Sequence, residues 1–364
     1  MDNPVTIAII GAGSIGPRHA QTVLEDSNAR LVGIVDPAPR GTELATQLDV
    51  PYYSSIADLL RSESDRPEAA IICTPNHTHV AVALALVETG VHVLVEKPVS
   101  SDVESGRELV RRAREKSVKV LVGHHRRFNS YIVAAKGVID SGELGEIVAV
   151  NGLWTTCKPE EYFDPPGEWR RGKDGGVILI NMVHEIDLLH ELVGPITRVY
   201  AERMPSRRGF EAEEGAAITL RFRSGAVGSF LLGDNLPSPH CFEAGTGENP
   251  GIPRAGKDFY RVFGTKGMLS VPDLKVWGYE EGKKRWGEEM RVREVPVAVE
   301  VPFRGQLAHF VRVVRGLEGP RCSGEAGLAA LAVCEALKRS LETGLPVEVD
   351  LFDSRRDVQK AFWA

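Results

Sequence analysis

The sequence has few cysteines and no long apolar run, and each shortage excludes a class of protein. Its five cysteines are scattered and form no C-x-x-C pair, which argues against a disulfide framework or a zinc site and favours a reducing compartment. The longest apolar run, residues 80–87, ends at Glu88, whereas a membrane-spanning helix needs about 20 apolar residues. The N-terminus also lacks the positively charged region of a signal peptide. We therefore expect a cytoplasmic protein without a membrane segment.

Basic stripes and metal motifs are missing as well. The chain carries 44 Lys and Arg against 50 Asp and Glu, a net charge of −6, and acidic residues interrupt its short basic runs. This pattern is typical of solvated surfaces and excludes nucleic acid as an expected partner. His184 and Glu185 begin an H-E-x-x-H metalloprotease motif, but the last position is Leu188, so we expect no metal.

The composition is that of an ordinary globular protein with a surplus of glycine. The 364 residues are 43% hydrophobic, and their number favours two domains at about 150 residues each. The 37 glycines exceed the usual share of about 7%. Most of them lie in turns, and the remainder point to particular motifs.

The first third of the chain alternates continuous apolar runs with helical periods. Such runs are typical of strands that are buried on both faces of a parallel sheet. A helix is predicted at residues 102–116, where apolar residues recur on one face. Residues 1–124 are therefore predicted to form an α/β domain, a Rossmann doubly wound parallel sheet. Its predicted strands are residues 5–10, 31–35, 69–73, 91–95 and 118–122.

The remainder, residues 125–364, is predicted to form an α+β domain on a largely antiparallel open sheet. Short strands followed by turn residues indicate hairpins. The predicted strands are residues 147–155, 196–204, 218–222 and 227–232, and the predicted helices are residues 306–315 and 326–341. Residues 234–257 have no period and are expected to be a loop without regular structure.

A dinucleotide-binding motif follows the first predicted strand. The G-x-G-x-x-G pattern of residues 11–16 lies between a strand and a helix, and Asp36 follows it at the end of the second strand. A carboxylate there binds the ribose 2′-hydroxyl and favours NAD over NADP, although the nearby Arg40 could hold a 2′-phosphate. The cofactor-binding residues predicted from the motif are Gly11, Gly13, Ser14, Ile15, Gly16 and Asp36.

Two further motifs carry a resemblance to a known family. C-T-P-N-H-T-H at residues 73–79 and E-K-P at residues 96–98 end two predicted parallel strands, at the edge where such sheets bind ligands. Together with residues 11–16 they resemble the glucose–fructose oxidoreductase/inositol dehydrogenase (Gfo/Idh/MocA) family over essentially the whole chain. The resemblance implies a catalytic role for Lys97, a cis peptide before Pro98, and a cofactor contact at Thr74, Pro75, Asn76, His79, Glu96 and Lys97.

A third block, residues 175–187, resembles the family's G-G-x-x-x-x-D-x-x-H-x-x-D motif. Asn181 and His184 are three residues apart and so share one helix face. The family commonly has Asp where this chain has Asn181, and an amide cannot take up a proton. Asn181 is therefore expected to bind a substrate hydroxyl, while Lys97 and His184 perform the acid–base chemistry. The candidate substrate-binding residues are Lys97, Arg126, Lys158, Tyr162, Trp169, Arg170, Asn181 and His184.

These observations predict an NAD-dependent dehydrogenase or reductase that acts on CH–OH groups. Its substrate would be a secondary alcohol or ketone of a sugar, cyclitol or related ring polyol. Two alternatives stay open: a non-catalytic NAD(P)-sensing regulator of the same fold, and an enzyme that recycles tightly bound NAD. By analogy with the family, residues 125–364 are expected to serve substrate binding and oligomerisation, and the assembly is expected to be a homodimer or homotetramer.

Overall fold

The computed structural model describes residues 3–351 except residue 174. In chain order the first part contains β1 Val5–Ile10, α1 Gly16–Leu24, β2 Ala29–Val35, α2 Pro39–Leu48, β3 Tyr52–Tyr53, α3 Ile56–Arg61, β4 Ala69–Ile72, α4 His79–Val87, β5 His92–Val95, α5 Val103–Glu115 and β6 Val120–Val122. The later part contains α6 Ser130–Asp140, β7 Ile147–Thr155, a π-helical segment Ile178–Met182, α7 Val183–Leu192, β8 Ile196–Arg203, β9 Gly215–Phe222, β10 Val227–Gly233, α8 Phe242–Thr246, β11 Tyr260–Gly264, β12 Gly267–Val271, β13 Lys275–Gly278, β14 Arg291–Glu294, α9 Pro302–Val314, α10 Gly324–Thr343 and β15 Val347–Glu348.

Strands β1–β6 form a parallel sheet with the order β3-β2-β1-β4-β5-β6, which confirms the predicted Rossmann domain. The apolar runs form its strands because both faces are covered, and β4 is buried along its whole length. Helix α5 begins where predicted because the Asp102 carboxylate accepts a hydrogen bond from the Ser105 amide. The two-residue strand β3 has no apolar run and was not predicted.

Strands β7–β15 form a nine-stranded sheet that is largely antiparallel, as predicted. One pair differs, because β7 and β10 run parallel at the centre of the sheet. The expectation of a loop without regular structure at residues 234–257 is wrong in part. Cys241 precedes the short helix α8, which ends where Gly247 adopts a positive φ of 73°.

The chain divides into two compact units whose boundary differs from the one expected from the sequence. Among the described residues, the first unit comprises residues 3–128 together with Glu300–Leu331, and the second comprises Asn129–Val299 and residues 332–351. The sequence-based division at residue 124 places Glu300–Leu331 in the second domain, whereas in the structure these residues belong to the first unit.

Helix α9 explains this assignment. Its apolar face lies in the same buried cluster as Ile7, Ile9 and Val23 of the parallel-sheet unit; the α9 residues in that cluster are Leu307, Phe310, Val311 and Val313. The start of α10 also lies against this unit, and an added Cβ at Gly327 would meet the Val122 side chain at 2.5 Å. Burial of this apolar face, rather than proximity in sequence, decides where the helix packs.

Candidate functional site

Residues 11–16 form a tight turn between β1 and α1. Gly11 has a φ of +101°, a conformation that favours glycine, and a Cβ there would lie 2.7 Å from the Cys73 carbonyl oxygen. A Cβ on Gly16 would lie 2.1 Å from the Gly11 carbonyl oxygen, whereas one on Gly13 would meet nothing within 4 Å. The open space at Gly13 and the absence of a side-chain cap on α1 fit an anionic group at the helix N-terminus.

Asp36 holds this turn in place. The carboxylate is buried and accepts hydrogen bonds of 2.8 Å from the backbone N–H groups of Ala12 and Ala38. Arg40, which is exposed, adds a bond of 3.1 Å from Nε. Burial raises the pKa of Asp36, but these three donors outweigh it and the net pKa is lowered, so the group is a carboxylate at neutral pH.

His79 connects the two loops that follow β4 and β5. Its Nε2 lies 2.8 Å from the Thr74 carbonyl oxygen and its Nδ1 lies 2.8 Å from that of Pro98. Both ring nitrogens are therefore engaged by backbone carbonyl oxygens, and His79 joins the Thr74 loop to the Pro98 loop. Pro75 and Asn76 are exposed on the Thr74 loop.

Glu96 forms a buried side-chain pair with His19 that the sequence did not indicate. Its Oε1 lies 2.7 Å from Nε2 of His19 on α1, and its Oε2 accepts a hydrogen bond from the Lys97 amide at 3.2 Å. Burial raises the pKa of Glu96, yet the pairing with His19 and the nearby positive groups outweigh it and lower this pKa to about 2. His19 is three residues past Gly16, the nearest glycine of the motif, and only the helical geometry of α1 could have pointed to it.

Lys97 follows this carboxylate and is half-buried at the carboxyl end of β5. The Lys97–Pro98 peptide is cis, as the resemblance implied. Arg126 lies in a 3-10 turn and is 6% exposed, which leaves little of it for a substrate.

The second unit gathers several of the other candidate residues. The Lys158 ammonium donates a hydrogen bond of 2.7 Å to Oδ1 of Asn181 and lies 3.2 Å from Oδ2 of Asp234. Burial lowers the pKa of Lys158, which the Asp234 carboxylate opposes only in part. Asp234 was missed from the sequence because it begins the segment expected to be a loop.

Asn181 lies in the π-helical segment and is half-buried, and His184 follows on α7 with 5% exposure. Glu213 supports the start of the segment, because its Oε1 accepts a hydrogen bond of 2.9 Å from the Ile178 amide. A Cβ on Gly176 would lie about 2 Å from that carboxylate, which explains a glycine there. Such π-helical turns occur often at functional sites.

Tyr162, Arg170 and Trp169 lie in two 3-10 turns between β7 and the π-helical segment. The Arg170 guanidinium is 4.1 Å from the centre of the Tyr162 ring and 5.3 Å from that of Trp169. Arg170 also donates a hydrogen bond of 2.7 Å to the Tyr162 carbonyl oxygen. Trp169 is 51% exposed, so its ring remains accessible to a ligand.

The parallel sheet, the glycine-rich turn and the buried Asp36 together define an NAD-binding oxidoreductase with a second, mixed-sheet unit. Residues 5–124 match the family model described as "Oxidoreductase family, NAD-binding Rossmann fold", and residues 136–349 match "Oxidoreductase family, C-terminal alpha/beta domain". The chain belongs to the Gfo/Idh/MocA family of NAD-dependent oxidoreductases.

Individual relatives cover nearly the whole chain. Inositol 2-dehydrogenase of Rhizobium meliloti is 29% identical, over 93% of this chain and 97% of its own. 2,7-Anhydro-N-acetylneuraminate hydratase of Mediterraneibacter gnavus is 31% identical, over 92% and 94%. The crystal structure of the WlbA dehydrogenase from Bordetella pertussis, in complex with NADH and UDP-GlcNAcA, is 25% identical with a TM-score of 0.75, over 96% of this chain and 100% of its own.

No helix among residues 3–173 and 175–351 is long and apolar enough to cross a membrane. Within the same residues no cluster of three or more His, Cys, Asp or Glu side chains is arranged to hold a metal ion.

Proposed function

We propose that this enzyme transfers a hydride between NAD and a secondary alcohol or ketone of a sugar, cyclitol or related ring polyol. The observation that carries the proposal is Lys97 at the carboxyl end of β5, beside the buried Glu96 and next to the loop held by His79. An inositol 2-dehydrogenase among the relatives favours the same substrate class. The exposed Trp169 and the cations of the second unit suit a ring that carries many hydroxyl groups.

One set of residues holds the cofactor, and another binds the substrate and moves its proton. The turn at residues 11–16, Asp36 and the exposed loop at Pro75 and Asn76 hold the dinucleotide, which supplies the hydride acceptor or donor when bound. The Lys97 Nζ accepts the proton of the reacting hydroxyl or returns it to the carbonyl oxygen. His184 assists this transfer, and Asn181 binds substrate oxygen. Fixed placement of the reactants supplies much of the acceleration.

Replacement of Lys97 tests the proposal. Lys97→Met should lower kcat by about 100-fold or more, because acid–base groups contribute on the order of 10²–10⁴, while the Kd for NADH stays near that of the wild type. Lys119→Met, at an exposed lysine of the same unit, is the matched control and should behave as the wild type. Activity is measured as NADH absorbance over a panel of polyols and their ketones. Near-normal turnover by Lys97→Met would remove this residue from its role.

A relative named as a hydratase favours a second candidate. Addition of water to a double bond changes no net oxidation state, so an enzyme of this family that acts in that way must end with its NAD unchanged. For this chain that function would appear as NAD that copurifies with the protein, does not exchange with added cofactor, and shows no net reduction during turnover. The sensing regulator would instead bind NADH and turn over no member of the panel.

We further propose that the protein is cytoplasmic and assembles as a homodimer or homotetramer. The five cysteines are scattered along the chain and form no C-x-x-C pair, which suits a reducing compartment. One face of β10 exposes the apolar side chains of Val227 and Leu231, and a second copy would cover them. Sedimentation equilibrium at a multiple of 39.7 kDa supports the assembly, and a monomer mass contradicts it.

A further inference from the structure

The contact between Lys158 and Asn181 sets the direction of the Asn181 amide. The Lys158 side chain is 10% exposed, and its Nζ lies 2.7 Å from Oδ1 of Asn181. An ammonium group donates three hydrogen bonds and accepts none, so the atom that faces it must be the amide oxygen. The assignment of oxygen and nitrogen in Asn181 therefore follows from chemistry and does not depend on a choice between two amide flips.

The other arm of the amide carries two N–H donors. Among the described residues, no hydrogen bond engages the Asn181 Nδ2 group, and the residue is half-buried. Asn181 thus has its acceptor occupied by the protein and its donors left for a ligand. A carboxylate at this position, as the family pattern has, would present an acceptor instead.

The carboxylate that shares Lys158 with Asn181 is already engaged by two cations. Oδ2 of Asp234 lies 3.2 Å from Lys158, and its Oδ1 accepts a hydrogen bond of 2.7 Å from Arg208. Arg208 donates a second bond, of 2.6 Å, to the Asp234 carbonyl oxygen. A hydroxyl group that accepted a bond from Asn181 would still have to place its own proton on an acceptor, and a buried donor left without one is costly.

We infer that Lys158 is a positioning residue that fixes Asn181 as a donor, and that the substrate oxygen at Asn181 is an acceptor without a proton, a keto or a carboxylate oxygen. The inference rests on the proposed function, since it assigns a substrate class to the same site. The substrate is thus a ketose, a keto-cyclitol or a sugar acid, and a ring that bears only hydroxyl groups binds less well.

Binding measurements separate this inference from the proposed function. The protein is saturated with ADP-ribose, which fills the dinucleotide site but carries out no hydride transfer. Titration calorimetry then gives the Kd of myo-inositol, of its 2-keto oxidation product and of galacturonate. The wild type should bind at least one of the two acceptor probes about tenfold more tightly than myo-inositol. Tight binding of the keto probe alone identifies a keto substrate, and tight binding of galacturonate alone identifies a sugar acid.

Variants test the role of each residue. Asn181→Asp is nearly isosteric and replaces the donor arm by an acceptor, so the preference for an acceptor probe should disappear. Lys158→Met should weaken the preference, and Lys158→Arg, which still donates to Oδ1, should retain it. Unfolding temperature and the Kd for ADP-ribose report whether each variant is folded.

Two outcomes overturn the inference. One is a wild type that binds neither acceptor probe more tightly than myo-inositol, and the other is a folded Asn181→Asp variant that keeps the preference. Turnover of the polyol panel by the wild type is scored separately. If the wild type turns over a polyol of the panel but shows no preference for an acceptor probe, the proposed function stands and the inference is wrong. If it shows the preference but turns over no polyol, the proposed function is wrong instead.

Discussion

Glu96 combines the features of a structural and a functional carboxylate. It is buried, yet His19 and the neighbouring positive groups keep it ionised and lower its pKa from the ordinary 4.5 to about 2. Its Oε2 also accepts a hydrogen bond from the Lys97 amide, so Glu96 fixes the backbone that carries the proposed proton-transfer group. A charge at this depth is tolerated because its oxygens are engaged by the His19 ring and the Lys97 amide.

The lowered pKa of Glu96 predicts a specific dependence of stability on pH. A carboxyl group whose pKa is lower in the folded state stabilises the protein above its unfolded pKa, and that contribution disappears as the pH falls through its folded pKa. The window here runs from pH 4.5 down to about 2, and the full contribution is roughly 3 kcal/mol.

In Glu96→Gln the free energy of unfolding should therefore fall less steeply as the pH is lowered, because unfolding takes up about one proton fewer than in the wild type. Urea denaturation between pH 3 and 7 measures this dependence. Glu281→Gln, at an exposed position of the segment between β13 and β14, is the control and should follow the wild type. An acid limb in Glu96→Gln as steep as that of the wild type would show that Glu96 is not the group that titrates.

At the scale of elements, the turn between β1 and α1 contains two glycines that are required for different reasons, Gly16 and Gly13. At Gly16 a Cβ would collide with the Gly11 carbonyl oxygen, so the residue is required by packing. At Gly13 a Cβ would meet no protein atom within 4 Å, so packing alone does not explain the glycine. The remaining reason is the close approach of the cofactor's pyrophosphate to the backbone.

Gly16→Ala and Gly13→Ala should thus have different effects. Gly16→Ala should destabilise the protein by about 1–3 kcal/mol through overpacking. Gly13→Ala should change the free energy of unfolding by less than about 0.5 kcal/mol, yet weaken NADH binding by about tenfold. Urea denaturation and NADH fluorescence titration measure the two quantities. A Gly13→Ala variant that binds NADH as well as the wild type would contradict the assigned role.

The elements that the sequence predicted are those whose burial repeats with a simple period. Residues 147–155 form β7 as predicted, and most strands of the parallel sheet lie within two residues of their apolar runs. Helix α8 was not predicted, since five residues are too few to show a helical period. The π-helical segment was not predicted either, because its i→i+5 hydrogen bonds leave no pattern distinct from that of an α-helix.

At the scale of the whole molecule, contacts between residues that are distant in the sequence could not be predicted from the sequence. The cofactor-binding turn is contiguous, and its spacing from Asp36 identified it. Lys158 and Asn181 are far apart in the chain, and Asp234 lies further on, so their contact appears only in the folded second unit. The packing of α9 in the first unit was hidden for the same reason, because its apolar face does not specify which surface covers it.

The transfer of deuterium tests the central claim most directly. A polyol that the enzyme oxidises is prepared with deuterium at its carbinol carbons and incubated with NAD, and the reduced cofactor is examined by mass spectrometry. Direct hydride transfer predicts one deuterium in each NADH formed, with an equal amount of ketone product. Reduced cofactor without deuterium, or turnover of the polyol with no reduced cofactor released, would contradict the account.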